Sequence, residues 1–266
     1  MTVIARLLIP VRMVWQWGIE FMSKRKDTAW QARDLAQKYL KNIRQAIPLS
    51  DEQIAVMCRV INADDHGVNA VLDLGCGDGI LGAAVIECHP DARGVFVDFS
   101  EAMIEAARKR FGGTASQHRF VIGDYATSDW LNLVADDAPY DAIVSGFSIH
   151  HQSDARKREV YGEIFDLLSP NGVFVNVEHV RSPSKWVESR FADRFIDALY
   201  DSVTQRDPEA SRDEIAQAYY YRDDKQANIL ASVEDQCDWL RAIGFSDVDC
   251  YFKLFELAVF GGRKTG

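Results

Sequence analysis

The chain has 266 residues, and 47% of them are hydrophobic, which is enough for a sizeable core. Its 30 Lys and Arg against 40 Asp and Glu give a net charge of -10, which argues against a nucleic-acid substrate, because such domains usually carry a basic surplus. The five cysteines have no metal-ligand spacing, so we expect free thiols in a reducing cytoplasm.

The first 26 residues are apolar and basic, with five Lys or Arg and one Glu, a charge of +4. Polar residues and a proline interrupt the segment, so it lacks the run of about 20 apolar residues that spans a membrane. No small-residue cleavage site follows, so we expect no signal peptide. The favoured interpretation is a helix that packs on the domain or on a second copy of the chain in a homodimer. A helix lying on an anionic membrane surface is the alternative.

Two helices are predicted next. Apolar residues recur at helical spacing over residues 28–47, and Pro48 ends this helix. The sequence from Ser50 to Gln53 has the form of a capping box and predicts a second helix that reaches about Ile61. We therefore expect residues 1–62 to form an N-terminal helical segment that acts as a lid or an interface.

From residue 63 the pattern alternates between short apolar runs and amphipathic segments. The apolar runs predict strands over 70–74, 94–100, 119–124, 140–147 and 171–180. The segments between them predict helices over 79–87, 101–111 and 154–168. Strand and helix repeated in this way indicate a doubly wound parallel sheet with right-handed crossovers.

The last third of the chain departs from this alternation. Residues 182–230 are polar and helical, with Asp207-Pro208 between two helices, and we expect them to form a cap over the strand ends. A helix over 232–245 and two antiparallel strands over 247–264 then complete the sheet. The predicted fold is a Rossmann-like α/β domain over residues 63–266, whose seven-stranded sheet is mostly parallel with an antiparallel last strand.

A glycine-rich loop, VLDLGCGDG at 71–79, follows the first predicted strand. Glycines let the backbone turn tightly and let a ligand approach backbone N–H groups at a helix N-terminus. Residues 77–82 also match the G-x-G-x-x-G pattern of dinucleotide-binding proteins, with Asp98 about 20 residues on. Asp73 argues against a dinucleotide, because a carboxylate beside the loop would attract a ligand ammonium and repel a pyrophosphate.

Four motifs together resemble class I S-adenosylmethionine-dependent methyltransferases. They are DLGCGDG at 73–79, VDFS at 97–100, GDY at 123–125 and LLSPNGVF at 167–174. The resemblance is good over residues 68–180 and moderate over 232–263. It implies that the chain is a methyltransferase and that S-adenosyl-L-methionine is its cofactor.

The resemblance also assigns roles by position. The implied cofactor-binding residues are Asp73, Gly75, Gly77, Asp98, Phe99, Met103, Gly123, Asp124, Tyr125 and Ser145. Asp73 and the glycine backbone would face the methionine part, as would Ser145, and Asp98 would accept hydrogen bonds from the ribose hydroxyls. Asp124 would bind the adenine amino group, or else cap a loop. Phe99 and Met103 would pack on adenine, although helix core explains Met103 equally well.

The fourth strand ends in SGFSIHH, which resembles the small-molecule and quinone branch of the family. His150 and His151 follow this strand, and a histidine with a pKa near neutrality can accept a proton from an attacking hydroxyl. The alternative for either residue is a structural role under the cap. Glu178 and His179, near the end of strand five, are second-choice candidates, and Glu178 is also a candidate for contact with the substrate.

The acceptor itself is expected to be a small molecule. The aromatic residues of 1–47, Tyr39 among them, and of 182–230 predict a wall that closes over an apolar or planar acceptor. Residues 228–264 resemble carboxy-S-adenosylmethionine synthases, in which a cap arginine holds a carboxylate. Arg222 lies near the matching place, although a surface ion pair explains it as well. A synthase-like enzyme is therefore one alternative to a methyltransferase. A non-catalytic protein of the same fold, acting through a partner or a membrane surface, is the other. No metal is expected.

Overall fold

The computed structural model describes residues 28, 31, 47–63, 67–205, 207–221 and 227–266. The predictions for residues 1–26, for Tyr39 and for Arg222 fall outside the described residues. The same holds for the helix predicted over 28–47, apart from three of its residues. They remain predictions.

A seven-stranded sheet forms the centre of the molecule, in the order β3-β2-β1-β4-β5-β7-β6. The strands are β1 (Ala70–Leu74), β2 (Arg93–Asp98), β3 (Arg119–Ile122), β4 (Tyr140–Gly146), β5 (Leu168–His179), β6 (Ser246–Leu254) and β7 (Leu257–Arg263). The first five run parallel to one another, and β7 runs antiparallel to both of its neighbours. The predicted sheet, with its antiparallel last strand, is confirmed.

Helices cover both faces of this sheet. They are α1 (Ser50–Ile61), α2 (Ile80–Cys88), α3 (Glu101–Phe111), α4 (Asp154–Leu167), α5 (Lys185–Thr204), α6 (Arg212–Tyr220) and α7 (Val233–Ile243). Along β1, Leu72 packs with the core on the side of α4 and α7, whereas Val71 packs on the side of α1 and α2. This alternation is the period of two that a strand buried on both faces requires.

The helix α1 begins differently from the prediction. Ser50 is its first residue rather than its N-cap, and Leu49 takes the N-cap position with a left-handed backbone and no capping side chain. The Gln53 side chain donates to the Pro48 carbonyl instead of returning to the N-cap. The capping-box prediction was therefore wrong, although the helix itself spans the predicted residues.

Two helices, α5 and α6, interrupt the alternation between β5 and α7, with Asp207-Pro208 between them. They share an apolar cluster that includes Phe191, Phe195 and Tyr219, with Ile47 and Leu257 from outside the two helices. This arrangement places an aromatic layer beside the last strand. Among the described residues, no helix is long and apolar enough to cross a membrane.

Candidate functional site

A cavity of about 560 Å³ lies at the carboxyl ends of the central strands. Its lining comes from the loops that follow β1, β2 and β4, from the end of β5, and from α1, α5 and α6. In open α/β sheets, ligands bind at this edge, where the strand order reverses. In this sheet the reversal lies between β1 and β4.

The glycine-rich loop forms one wall of the cavity. Gly75 and Gly77 both have positive φ angles, 66° and 54°, in the left-handed region that other residues rarely adopt. A Cβ on Gly75 would lie 1.9 Å from Ser148 Oγ, whereas one on Gly77 would meet nothing within 4 Å. Gly75 therefore permits close packing within the protein, and Gly77 leaves backbone open to the cavity that it lines.

Two buried carboxylates hold this loop. Asp73 Oδ2 accepts a hydrogen bond from Gly82 N at 2.9 Å, and Asp98 Oδ2 accepts one from Gly77 N at 2.9 Å. Burial raises the pKa of Asp98 from 3.8 to about 6, although backbone N–H groups, that of Gly77 among them, oppose the shift. Both carboxylates line the cavity, so the strand ends present negative charge there.

The start of α3 forms the next part of the wall. Phe99 and Met103, the residues predicted to pack on adenine, both line the cavity. Arg110, from the last turn of α3, lines it as well and forms an ion pair with Asp78 of the glycine loop. Arg110 Nε also donates to the Asp78 carbonyl at 2.8 Å, so the loop is fastened to α3.

Four residues predicted to bind the cofactor do not line the cavity of the described structure. Ser145 is fully buried and donates to the Leu74 carbonyl at 2.7 Å, so its hydroxyl joins two strands. Asp124 is exposed, and its Oδ1 accepts from Ala126 N at 2.9 Å, which is the loop-capping alternative. Gly123 is buried, with its N–H donating to the Asp98 carbonyl.

Tyr125, the fourth of these residues, supports the wall from behind. Its hydroxyl lies 2.5 Å from Ser148 Oγ, and Ser148 does line the cavity. The Tyr125 carbonyl accepts from Arg156 Nε at 2.8 Å, and the same guanidinium binds Glu163 through two nitrogens at 2.7 Å each. Tyr125 therefore links α4 to the loop after β4.

His150 and Glu178 form a buried pair at the ends of β4 and β5. Glu178 Oε1 lies 2.6 Å from His150 Nδ1, and Oε2 accepts from His150 N at 3.1 Å. When Glu178 is ionised, its carboxylate can only accept, so Nδ1 carries the hydrogen and Nε2 is the basic atom of the neutral ring. His150 lines the cavity, whereas Glu178 is fully buried behind it. Glu178 therefore contacts the histidine and does not line the cavity itself.

Two further histidines lie next to this pair. The His151 ring lies 4.0 Å from that of His150, and the His179 ring lies 5.8 Å from it, measured between centroids. His179 Nε2 is 2.8 Å from Glu256 Oε2. Burial raises the pKa of Glu178 to about 7, while the N–H of His179 and the nearby histidines oppose the shift. The carboxyl behind His150 therefore has a pKa close to neutrality.

The opposite wall is apolar and aromatic. It is formed by Ile47, Phe147, Phe191, Phe195, Tyr219 and Leu257. The Phe195 and Tyr219 rings lie 5.4 Å apart at 31°, and the Phe191 ring is 5.7 Å from that of His179. A flat apolar molecule held here would lie next to the histidines.

Several lining residues were not predicted from the sequence. Gln53 and Asn228 bring amides to the cavity, and Ser148 brings a hydroxyl, whereas His179, which also lines it, was a second-choice candidate. Position immediately after β4 was a usable signal for Ser148, since His150 was selected on that basis. Gln53 carried no such signal, because one polar residue in an amphipathic helix is ordinarily exposed.

The residues present fit S-adenosyl-L-methionine. A cradle without side chains at Gly77 adjoins a carboxylate at Asp98 that can accept from ribose hydroxyls, with Phe99 and Met103 as an apolar surface beside it. In the described part of the chain, no group of three or more His, Cys, Asp or Glu side chains could hold a metal ion.

Comparison with known proteins agrees with this geometry. A family model described as a methyltransferase domain matches residues 71–172. A ubiquinone/menaquinone biosynthesis C-methyltransferase from Desulfotalea psychrophila is 28% identical over 76% of this chain and 75% of its own length. A carboxy-S-adenosyl-L-methionine synthase from Campylobacter curvus is 26% identical over 77% of this chain and 80% of its own.

Solved structures share the fold. An O-methyltransferase family protein from Burkholderia thailandensis superimposes with a TM-score of 0.62 at 18% identity, covering 96% of this chain and 70% of that one. At this identity the likeness concerns the fold alone. The methyltransferase-domain match, the curated relatives and the motifs together support a class I S-adenosylmethionine-dependent methyltransferase, with S-adenosyl-L-methionine as its cofactor.

Proposed function

We propose that the protein methylates a hydroxyl-bearing small molecule with a planar, apolar body, and that His150 is the base. The observation that carries this proposal is the His150–Glu178 pair, whose histidine lines the same cavity as the glycine loop and the aromatic layer of α5 and α6. S-adenosylmethionine, when bound, supplies a methyl group on a positively charged sulfur, which is already activated for displacement. The chain's own residues must then orient the acceptor and take its proton.

Glu178 prepares His150 for this step. It accepts the Nδ1 hydrogen and the backbone N–H of His150, so it fixes both the tautomer and the orientation of the ring. Nε2 can then receive the hydroxyl proton, and the resulting imidazolium is stabilised by the buried carboxylate. General-base catalysis of this kind contributes about 100-fold or more to a rate.

The apolar wall supports the choice of acceptor. Phe191, Phe195 and Tyr219 bury a planar molecule and exclude water from the site where charge moves. The Burkholderia thailandensis neighbour is named as an O-methyltransferase family protein, which fits a hydroxyl acceptor, whereas the Desulfotalea psychrophila relative is named as a C-methyltransferase of quinone biosynthesis. With a net charge of -10, the chain is not expected to act on nucleic acid.

A labelled-methyl experiment tests the proposal. The purified protein is incubated with S-adenosylmethionine that carries a deuterated methyl group and with a small-molecule extract of cells, and products that gain three deuterium atoms are found by mass spectrometry. We expect labelled products from wild type and at least 100-fold less from His150→Ala, with the affinity for S-adenosylhomocysteine unchanged. Equal labelling by both proteins would contradict the role of His150, and no labelling by either would contradict the activity.

A carboxy-S-adenosylmethionine synthase-like activity is the second candidate, favoured by the match that covers 80% of the Campylobacter curvus protein. Isothermal titration with S-adenosylmethionine and with its carboxylated form separates the two, because a synthase should bind the carboxylated form more tightly. A protein that binds the cofactor but yields neither labelled product nor carboxylated cofactor would instead support the non-catalytic alternative.

A further inference from the structure

Gln53 is a cavity residue that the proposed reaction does not use. It lies on α1, only 1% of its surface is exposed, and it lines the cavity. Its Nε2 donates to the Pro48 carbonyl at 2.9 Å. Its Oε1 is buried and accepts no hydrogen bond from any residue that the structure describes.

The orientation of this amide follows from its one partner. The Pro48 carbonyl can only accept a hydrogen bond, so the NH₂ group must face it, and rotation of the amide would bring two carbonyl oxygens together. Oε1 is therefore held in a fixed place as a buried acceptor. Since buried polar atoms nearly always have partners, and since Gln53 lines the cavity, a bound molecule is the natural source of the missing donor.

The surroundings of Gln53 identify which bound molecule this is. Ile47, immediately before the Pro48 anchor, packs in the aromatic cluster with Phe191 and Phe195. The glycine loop and Asp98 come instead from the ends of β1 and β2. The Pro48 anchor of Gln53 therefore adjoins the end of the cavity that the aromatic layer covers, and this favours the acceptor over the cofactor as the bound molecule.

We propose that Gln53 Oε1 accepts a hydrogen bond from an O–H or N–H group of the methyl acceptor, and that this contact makes Gln53 a specificity-determining residue. The proposal rests on the function proposed above. It means that the acceptor presents a polar donor to α1 in addition to the hydroxyl that faces His150. Molecules with only one polar group would leave the amide oxygen buried without a partner and would bind more weakly.

Nuclear magnetic resonance tests this contact without turnover. The probe is the side-chain carbonyl carbon of Gln53 in ¹³C-glutamine-labelled protein, assigned by its loss in Gln53→Glu. Gln236 is the internal control, because it is equally buried but has both amide atoms bonded, to Tyr161 and to the Ala231 carbonyl. S-adenosylhomocysteine is added first, and catechol, whose two hydroxyls are donors, is added to that complex.

We expect the Gln53 carbonyl resonance to move when catechol is added, while that of Gln236 stays in place. Gln53→Met should then weaken catechol binding about 3- to 10-fold, the range for one hydrogen bond, and should change S-adenosylhomocysteine affinity less than 2-fold. A resonance that moves with S-adenosylhomocysteine alone would overturn the proposal, since the donor would belong to the cofactor. A resonance that moves with neither would overturn it as well. Because the readout needs binding only, an absence of methyl transfer contradicts the proposed function but leaves this result intact.

Discussion

Asp98→Asn should remove a pH-dependent contribution of about 3 kcal/mol to the free energy of unfolding. Burial raises the pKa of Asp98 from 3.8 to about 6, although the N–H groups of Ser100, Gly77 and Phe99 oppose the shift. The folded value lies above the unfolded one, so folding favours the protonated acid. The stability that this group contributes is therefore present below about pH 3.8 and is lost as the pH rises through 6. About two pKa units at roughly 1.36 kcal/mol each give the expected magnitude.

Urea unfolding of wild type and Asp98→Asn, measured from pH 4 to pH 8, gives this quantity directly. The asparagine does not titrate, so the free energy of unfolding of the variant minus that of wild type should rise by most of about 3 kcal/mol over this range. The variant is expected to be the less stable protein at pH 4, because its amide NH₂ must face one of two backbone donors, at Gly77 or Ser100.

Binding provides the second half of the test. If the ionised Asp98 accepts from a ligand hydroxyl, its replacement should reduce S-adenosylhomocysteine affinity by about 1.5–3 kcal/mol, the range for a hydrogen bond to a charged group. Wild-type affinity should also rise with pH through about 6. A stability difference that stays constant with pH would refute the assignment of the burial penalty to this carboxylate. Unchanged affinity would refute its contact with the ligand.

Three further changes test other parts of the cavity. Gly75→Ala should lower the free energy of unfolding by more than the roughly 1–2 kcal/mol of left-handed strain, because its Cβ also meets Ser148 Oγ. Gly77→Ala should lower it only by about that strain, yet should bind S-adenosylhomocysteine poorly. Thermal unfolding measures the first effect and calorimetry the second. Loss of general-base function in His150→Gln should lower turnover about 100-fold and remove the rise of rate with pH on the acidic limb of the pH profile, and a profile identical to wild type would exclude His150 as the base. Phe195→Ala should destabilise the fold by about 3–5 kcal/mol in urea unfolding and should raise the acceptor KM, and an unchanged KM would show that the aromatic layer does not contact the acceptor.

The fold was predictable because its signals are local. The first strand was predicted over 70–74 and lies there. A short, mostly apolar run that stops at a glycine is typical of a buried parallel strand. The capping box failed for the opposite reason. The pattern from Ser50 to Gln53 allows a cap, but the backbone turns at Leu49 one residue earlier, and Gln53 binds the Pro48 carbonyl.

Part of the cavity lining beside the glycine loop was also predictable. Gly75 and Gly77 predict a backbone with positive φ angles. Asp98, the last residue of the second strand, lies beside them because parallel strands end at one edge of the sheet. Ser145 shows the limit of this reasoning. Successive residues at a strand end point to opposite sides, and the sequence does not say that Ser145 binds the Leu74 carbonyl while Ser148 lines the cavity.

The acceptor end depends on contacts between distant residues, and there the sequence is a weaker guide. Glu178 lies 28 positions from His150, and only the pairing of β4 with β5 brings them together. A carboxylate that is fully buried at the end of a central strand is tolerated because His150 and His179 donate to it from both sides. The same carboxylate that the fold must satisfy is therefore the one that sets the tautomer of the histidine. Stability and the proposed reaction would share this contact, so we expect Glu178→Gln and His150→Ala each to lower both the free energy of unfolding in urea and the turnover, and a variant that lost only one of the two would contradict this.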